Sequence, residues 1–95
     1  MKITKKQAEN LAYIFKINLN IINFDEWHYG LNVELEHGSK ISALTNITHD
    51  NLSLTSKIAI AHLTEDPKYY KRLKKMEDQA EKYWKNKNKP NIFLT

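Results

Sequence analysis

The sequence predicts an all-α fold: a compact four-helix domain with a central third helix and a basic amphipathic fourth helix. Three observations predict it. Tyr69, Leu73, Met76, Ala80 and Tyr83 recur at helical spacing, with lysines filling the opposite side. Ile58-Ala59-Ile60-Ala61 is apolar all round, which suits a helix enclosed by others. The one stretch with strand-like alternation, Asn18 to Phe24, finds no partner strand elsewhere in the chain and reads as a connector.

Taken in order, Thr4 and Gln7 form a capping box that opens a first helix, and Ala8, Leu11, Ala12 and Phe15 carry it from Lys5 to Ile17. Asp25 or Asn23 caps a second helix, whose first turn holds the acids Asp25 and Glu26, favoured there by the helix dipole. Its apolar stripe is Trp27, Leu31 and Leu35, and Gly38 is expected to end it as a left-handed residue. Gly30, inside this helix, costs about 1 kcal/mol relative to alanine. A close neighbour, another helix backbone or a ligand, would account for it. Ser39 to Asn51 has no periodicity, and Thr48 and Asp50 are cap candidates for a third helix from Leu52 to Thr64. His62 continues the line of Leu54 and Ile58 and is expected to face inward. Asp66-Pro67 stops that helix and starts the fourth, with Asp66 as cap and Pro67 in the first position. Residues 1–95 thus read as one domain, with 1–4 and 86–95 as loose ends.

A chain of 95 residues is long enough for a modest core. It has no cysteine, which excludes disulfides and thiolate metal sites and fits a reducing compartment. The start lacks the apolar run of a leader, and no stretch is apolar enough to span a membrane, so a soluble cytoplasmic protein is expected. The net charge of +4 is gathered toward the C-terminal end, where Lys68 to Lys89 is rich in lysine against only Glu77, Asp78 and Glu81. Such asymmetry suits an anionic partner, and it also suits a plainly solvated helix face.

Several segments carry a resemblance. They are Gly30-Leu31-Asn32-Val33-Glu34-Leu35-Glu36-His37-Gly38, Thr45-Asn46-Ile47-Thr48, Lys57-Ile58-Ala59-Ile60-Ala61-His62-Leu63, Pro67-Lys68-Tyr69-Tyr70 and Leu73-Lys74-Lys75-Met76-Glu77. In that order, over roughly Asp25 to Glu77, the chain resembles the domain-of-unknown-function family 5661. That resemblance implies a short protein of a bacterium, a phage or a large DNA virus, and no particular activity. The chain departs from the family pattern at His49-Asp50-Asn51, where two acids are usual, and at Ser56, where glycine is usual.

The residues themselves single out two features. Glu34-x-x-His37 and His62-x-x-Glu65 each put a carboxylate and an imidazole on one helix face. Packed antiparallel, the two helices would bring Glu34 level with Glu65 and His37 level with His62, with Glu36 close by. Glu34, His37, His62 and Glu65 would then offer two nitrogens and two oxygens to a divalent metal such as Zn, Fe or Mn. The same polar centre of Glu34, Glu36, His37, His62 and Glu65 would equally serve as a hydrogen-bonded lock that needs no cofactor. The second feature is the basic face of the fourth helix: Lys68, Lys71, Arg72, Lys75 and Lys82, with Tyr70, Tyr83 and Trp84 nearby. It suits an acidic protein, a nucleotide or a nucleic acid. There is no phosphate-binding glycine loop and no nucleophile motif, so a binding module is favoured over a catalyst. Ile92-Phe93-Leu94 would favour a homo-oligomer if it does not fold back on the domain.

Overall fold

A computed structural model describes residues 1–94, among which lie four α-helices and no strand. These are α1 (Lys5–Ile14), α2 (Phe24–Glu34), α3 (Leu52–Glu65) and α4 (Tyr69–Trp84), with a 3-10 turn, Leu35–His37, continuing α2. Among the described residues no helix is long and apolar enough to cross a membrane. α2 packs against α1, α3 and α4, and α3 also meets α4.

The capping box is formed: Thr4 Oγ1 accepts from Gln7 N–H at 3.1 Å, and Gln7 Oε1 from Thr4 N–H at 2.9 Å. α1 ends sooner than the expected Ile17. Lys16 turns left-handed at φ 55°, and Ile17 N–H reaches back to the Ala12 carbonyl. This is the closure that glycine normally makes, here adopted by a lysine. Ile3 was expected to lie in a loose end; instead it is fully buried. Its N–H donates to Asn32 Oδ1 at 2.8 Å, and its carbonyl accepts from Asn32 Nδ2 at 3.1 Å and meets His28 Nε2 at 2.7 Å. Two polar side chains of α2 thereby satisfy the backbone of a segment that has no secondary structure.

α2 is capped by Asn23, not Asp25: Asn23 Oδ1 accepts from the N–H groups of Asp25 and Glu26. Trp27, Leu31 and Leu35 are buried as expected. The Trp27 indole N–H donates to the Ala8 carbonyl at 2.9 Å, which fixes α1 against α2. The neighbour of Gly30 is neither a helix backbone nor a ligand. It is the Tyr70 ring, whose Cδ2 lies 2.5 Å from where a Cβ would stand. Gly30→Ala is therefore expected to destabilise the fold by up to about 2 kcal/mol in a urea titration. Overpacking costs about 1–3 kcal/mol, and the better helix propensity of alanine returns only about 1 kcal/mol. A stabilised variant would mean that the ring moves aside freely.

Gly38 is not left-handed either, with φ −99°. A Cβ there would crowd Asp50, whose carboxylate accepts from the backbone and hydroxyl of Ser39 at 3.0 and 2.6 Å. Those two bonds hold the Asp50 carboxyl below the usual aspartate range. Asp50 thus closes the loop, and Asn51 supplies the α3 cap expected of Thr48 or Asp50, its Oδ1 accepting from Leu54 N–H at 2.9 Å. α3 covers only one side, along Thr55, Ser56, Ala59 and Leu63, while Leu54 and Ala61 stay exposed. The Thr55 and Ser56 hydroxyls donate to the carbonyls four residues back, which lets these small residues be buried without loss.

α4 starts later than expected, after an Asp66-Pro67-Lys68 turn in which Asp66 Oδ1 accepts from Lys68 N–H at 2.9 Å. Lys68 occupies the cap position and offers no side-chain bond. The missing acceptor comes from α2: Glu26 Oε2 takes the N–H groups of Tyr70 and Lys71 at 2.5 and 3.2 Å. Only Tyr70 of this helix is buried. Beyond Leu73 the stripe expected to pack the core is uncovered, with Met76 54% and Tyr83 58% exposed. The pattern shows that α4 has an apolar side but not how far its neighbours extend. Ile92, Phe93 and Leu94 are exposed as well and do not fold back.

Candidate functional site

The polar centre forms around one carboxylate. Glu34 is the last residue of α2 and only 2% exposed. The 3-10 geometry that follows eclipses residues three apart, so His37 comes directly over Glu34. His37 Nε2 lies 3.1 Å from Glu34 Oε1 and 3.9 Å from Glu36 Oε1. From α3, His62 Nε2 approaches Glu34 Oε2 to 3.7 Å. Tyr70, on α4, donates its hydroxyl to the same Glu34 Oε2. Burial first, and then that bond, push the Tyr70 hydroxyl far above the usual phenol range, so it remains a donor. His62 is held by its rings: it stacks on Tyr69 with centroids 4.2 Å apart and meets the edge of Tyr70 at 6.2 Å.

Of the five residues expected in this centre, the fold thus gathers Glu34, Glu36, His37 and His62. Glu65 is exposed at the end of α3 and makes no ion pair among the described residues. The mirror symmetry of the two Glu–His pairs does not survive folding. The second pair sits in a true α-helix, whose turn is wider than the 3-10 turn, and only its histidine reaches α2. Tyr70 was the partner that the sequence left out; the buried glycine opposite it was the available signal.

Glu34 Oε1 has no hydrogen-bond donor, since His37 Nε2 is near it but out of line. Glu34, Glu36 and His37 each offer a ligand atom, all within 4.8 Å of one another, and are the residues that could hold a metal. His37 and Glu36 are partly open to solvent, with side-chain exposures of 38% and 46%. Nearby, Ile47, Leu54, Ile58 and Ala61 line a shallow apolar groove of about 500 Å³, with Lys57 and His62 at its edge.

The basic residues of α4 fall into different environments. Lys71, Lys74, Lys75 and Lys82 share one outward face. Lys74 pairs with Asp78 at 3.0 Å, and Arg72 is tied to Asp66. The bonds from Lys68 N–H and then Arg72 hold the Asp66 carboxyl below the usual range. Lys68 stands apart at the start of the helix, lining a hollow with Tyr29, Lys71 and Lys74. Tyr70 is enclosed, and Tyr83 meets Trp84 edge-on beneath the Lys87 ammonium, 3.5 Å from the Tyr83 ring centre.

Compared with known proteins, the sequence is matched over residues 8–79 by the family described as "Protein of unknown function (DUF5661)". No curated protein and no solved structure matches it.

Proposed function

We propose that this chain, which belongs to the DUF5661 family, is a small non-catalytic binding module that engages an acidic protein through the lysine face of α4. The observation that carries this reading is the row formed by Lys71, Lys75 and Lys82, exposed on one side of α4 and without an ion pair among the described residues. Successive residues turn by about 100° around a helix, so these three lie nearly in line. Such a row offers several weak attractions at once, which add for a partner carrying carboxylates at matching intervals.

The aromatics favour an acidic protein over nucleic acid. A single-strand binder stacks bases on exposed rings beside its cations. Here Tyr70 is buried, Trp84 projects from nearly the opposite side of the helix, and Tyr83 lies about 100° around from the lysine row beneath Lys87. The reading places the module in the cytoplasm, in keeping with a chain that has no cysteine.

The test uses a labelled glutamate-rich peptide and fluorescence anisotropy at low and raised salt. Binding should weaken with salt and vanish in the combined variant Lys71→Glu, Lys75→Glu, Lys82→Glu. Melting of that variant should stay near wild type, because surface substitutions change stability by about 0.5 kcal/mol or less each. Unaltered peptide binding by the variant would overturn the proposal. Tighter lysine-dependent binding of a single-stranded oligonucleotide than of the peptide would replace it with the nucleic-acid reading.

A further inference from the structure

We propose that Glu34, Glu36 and His37 form a half-open site for a divalent transition metal of the zinc class. The argument begins with Glu34. Its carboxylate is almost wholly buried, yet Oε1 receives no hydrogen bond. Buried polar atoms rarely stay unpaired, so an orphan of this kind asks what belongs beside it.

Its surroundings answer with metal-ligating atoms. Ligands at about 2.0–2.1 Å from a tetrahedral ion are separated from one another by about 3.3 Å. The separations are 3.1 Å from Glu34 to His37 and 3.9 Å between His37 and Glu36, and one ligand atom of each of the three lies within 4.8 Å of the others. These are the spacings of groups that face a common point. The short approach of His37 Nε2 to Oε1 without hydrogen-bond alignment fits the same description.

The chemistry of the donors selects the ion. Imidazole nitrogen with carboxylate oxygen suits zinc and its neighbours, whereas magnesium and calcium take oxygen alone. Tyr70 supplies the supporting bond that carboxylate ligands usually have: its hydroxyl engages Oε2 and leaves Oε1 free for the ion. Glu36 and His37, open to solvent, provide the way in.

The set differs from the two mirrored pairs of the sequence: Glu36 joins Glu34 and His37, and neither His62 nor Glu65 takes part. That difference makes the test specific. Zinc chloride titrated into the full chain, followed by calorimetry, should show one saturable class of sites and raise the melting temperature. The ring signals of His37 should shift in NMR spectra while those of His28 and His49 do not. Glu36→Gln, on the open rim, should fold normally and weaken binding about tenfold or more. His37→Gln should weaken it further, and Glu65→Gln should leave it unchanged. Absence of saturable binding would overturn the site, as would binding that survives both Glu36→Gln and His37→Gln. Shifts at His28 or His49 in place of His37 would overturn it too.

Discussion

Tyr70→Ala is expected to remove about 3–5 kcal/mol of stability, the usual cost of deleting a large buried ring. A domain of this kind has only about 5–15 kcal/mol in total, so the variant should give up a large share of its stability and melt at a clearly lower temperature. The ring fills the space over Gly30, and its hydroxyl is a donor to the buried Glu34 carboxylate. Tyr70→Phe separates the two contributions. It keeps the ring and leaves Glu34 short of a donor, which should cost about 1–3 kcal/mol. Chemical denaturation of both variants checks the pair. If Tyr70→Phe were as stable as wild type, the bond between Tyr70 and Glu34 would add nothing, and the polar centre would owe its position to packing alone.

Trp27→Ala should cost a similar amount, about 3–5 kcal/mol, through a different part of the core. The indole is fully enclosed and ties α2 to the Ala8 carbonyl across 19 residues of chain. Its loss should therefore fall mainly on α1. Hydrogen exchange resolved by residue is the measurement: the amides of Leu11 and Ala12 should lose protection before those of Ala59 and Leu63. Equal loss in both places would mean that α1 is not separable from the rest of the fold.

How far the sequence could be read depended on whether its signals were local. The Thr4–Gln7 box and the apolar stripe of Trp27, Leu31 and Leu35 are contained within a few residues, and the structure has them where the spacing put them. The all-α class followed from the same signals. The end of α1 was harder to see, because a lysine occupies the left-handed position where glycine is the usual mark. In the polar centre, the union of Glu34 with His37 followed from their spacing, but the choice of Glu36 over Glu65 did not. It turns on a 3-10 turn and on the register of α3 against α2, which no single stretch encodes. Tyr70 looked like one aromatic among several on a basic helix. Only its pairing with Gly30, 40 residues away in the chain, sets it inside the core. The exposed stripe of α4 is hidden from the sequence for a related reason. Amphipathic spacing announces that a helix has a partner side, and says nothing of where the partner stops.

The Glu26 cap has a consequence for the order in which the chain folds. Most helices carry their own starting signal, so they flicker into shape before they find their neighbours. α4 draws its acceptor from α2, 44 residues earlier than Tyr70. Starting a helix is the unfavourable step, and extending it is comparatively easy. The segment should therefore stay mostly coil until α2 has formed, then nucleate on contact and propagate outward from Tyr70 toward Trp84. Helix growth and docking become a single event, and the far end of α4 is the last part to form and the first to unravel.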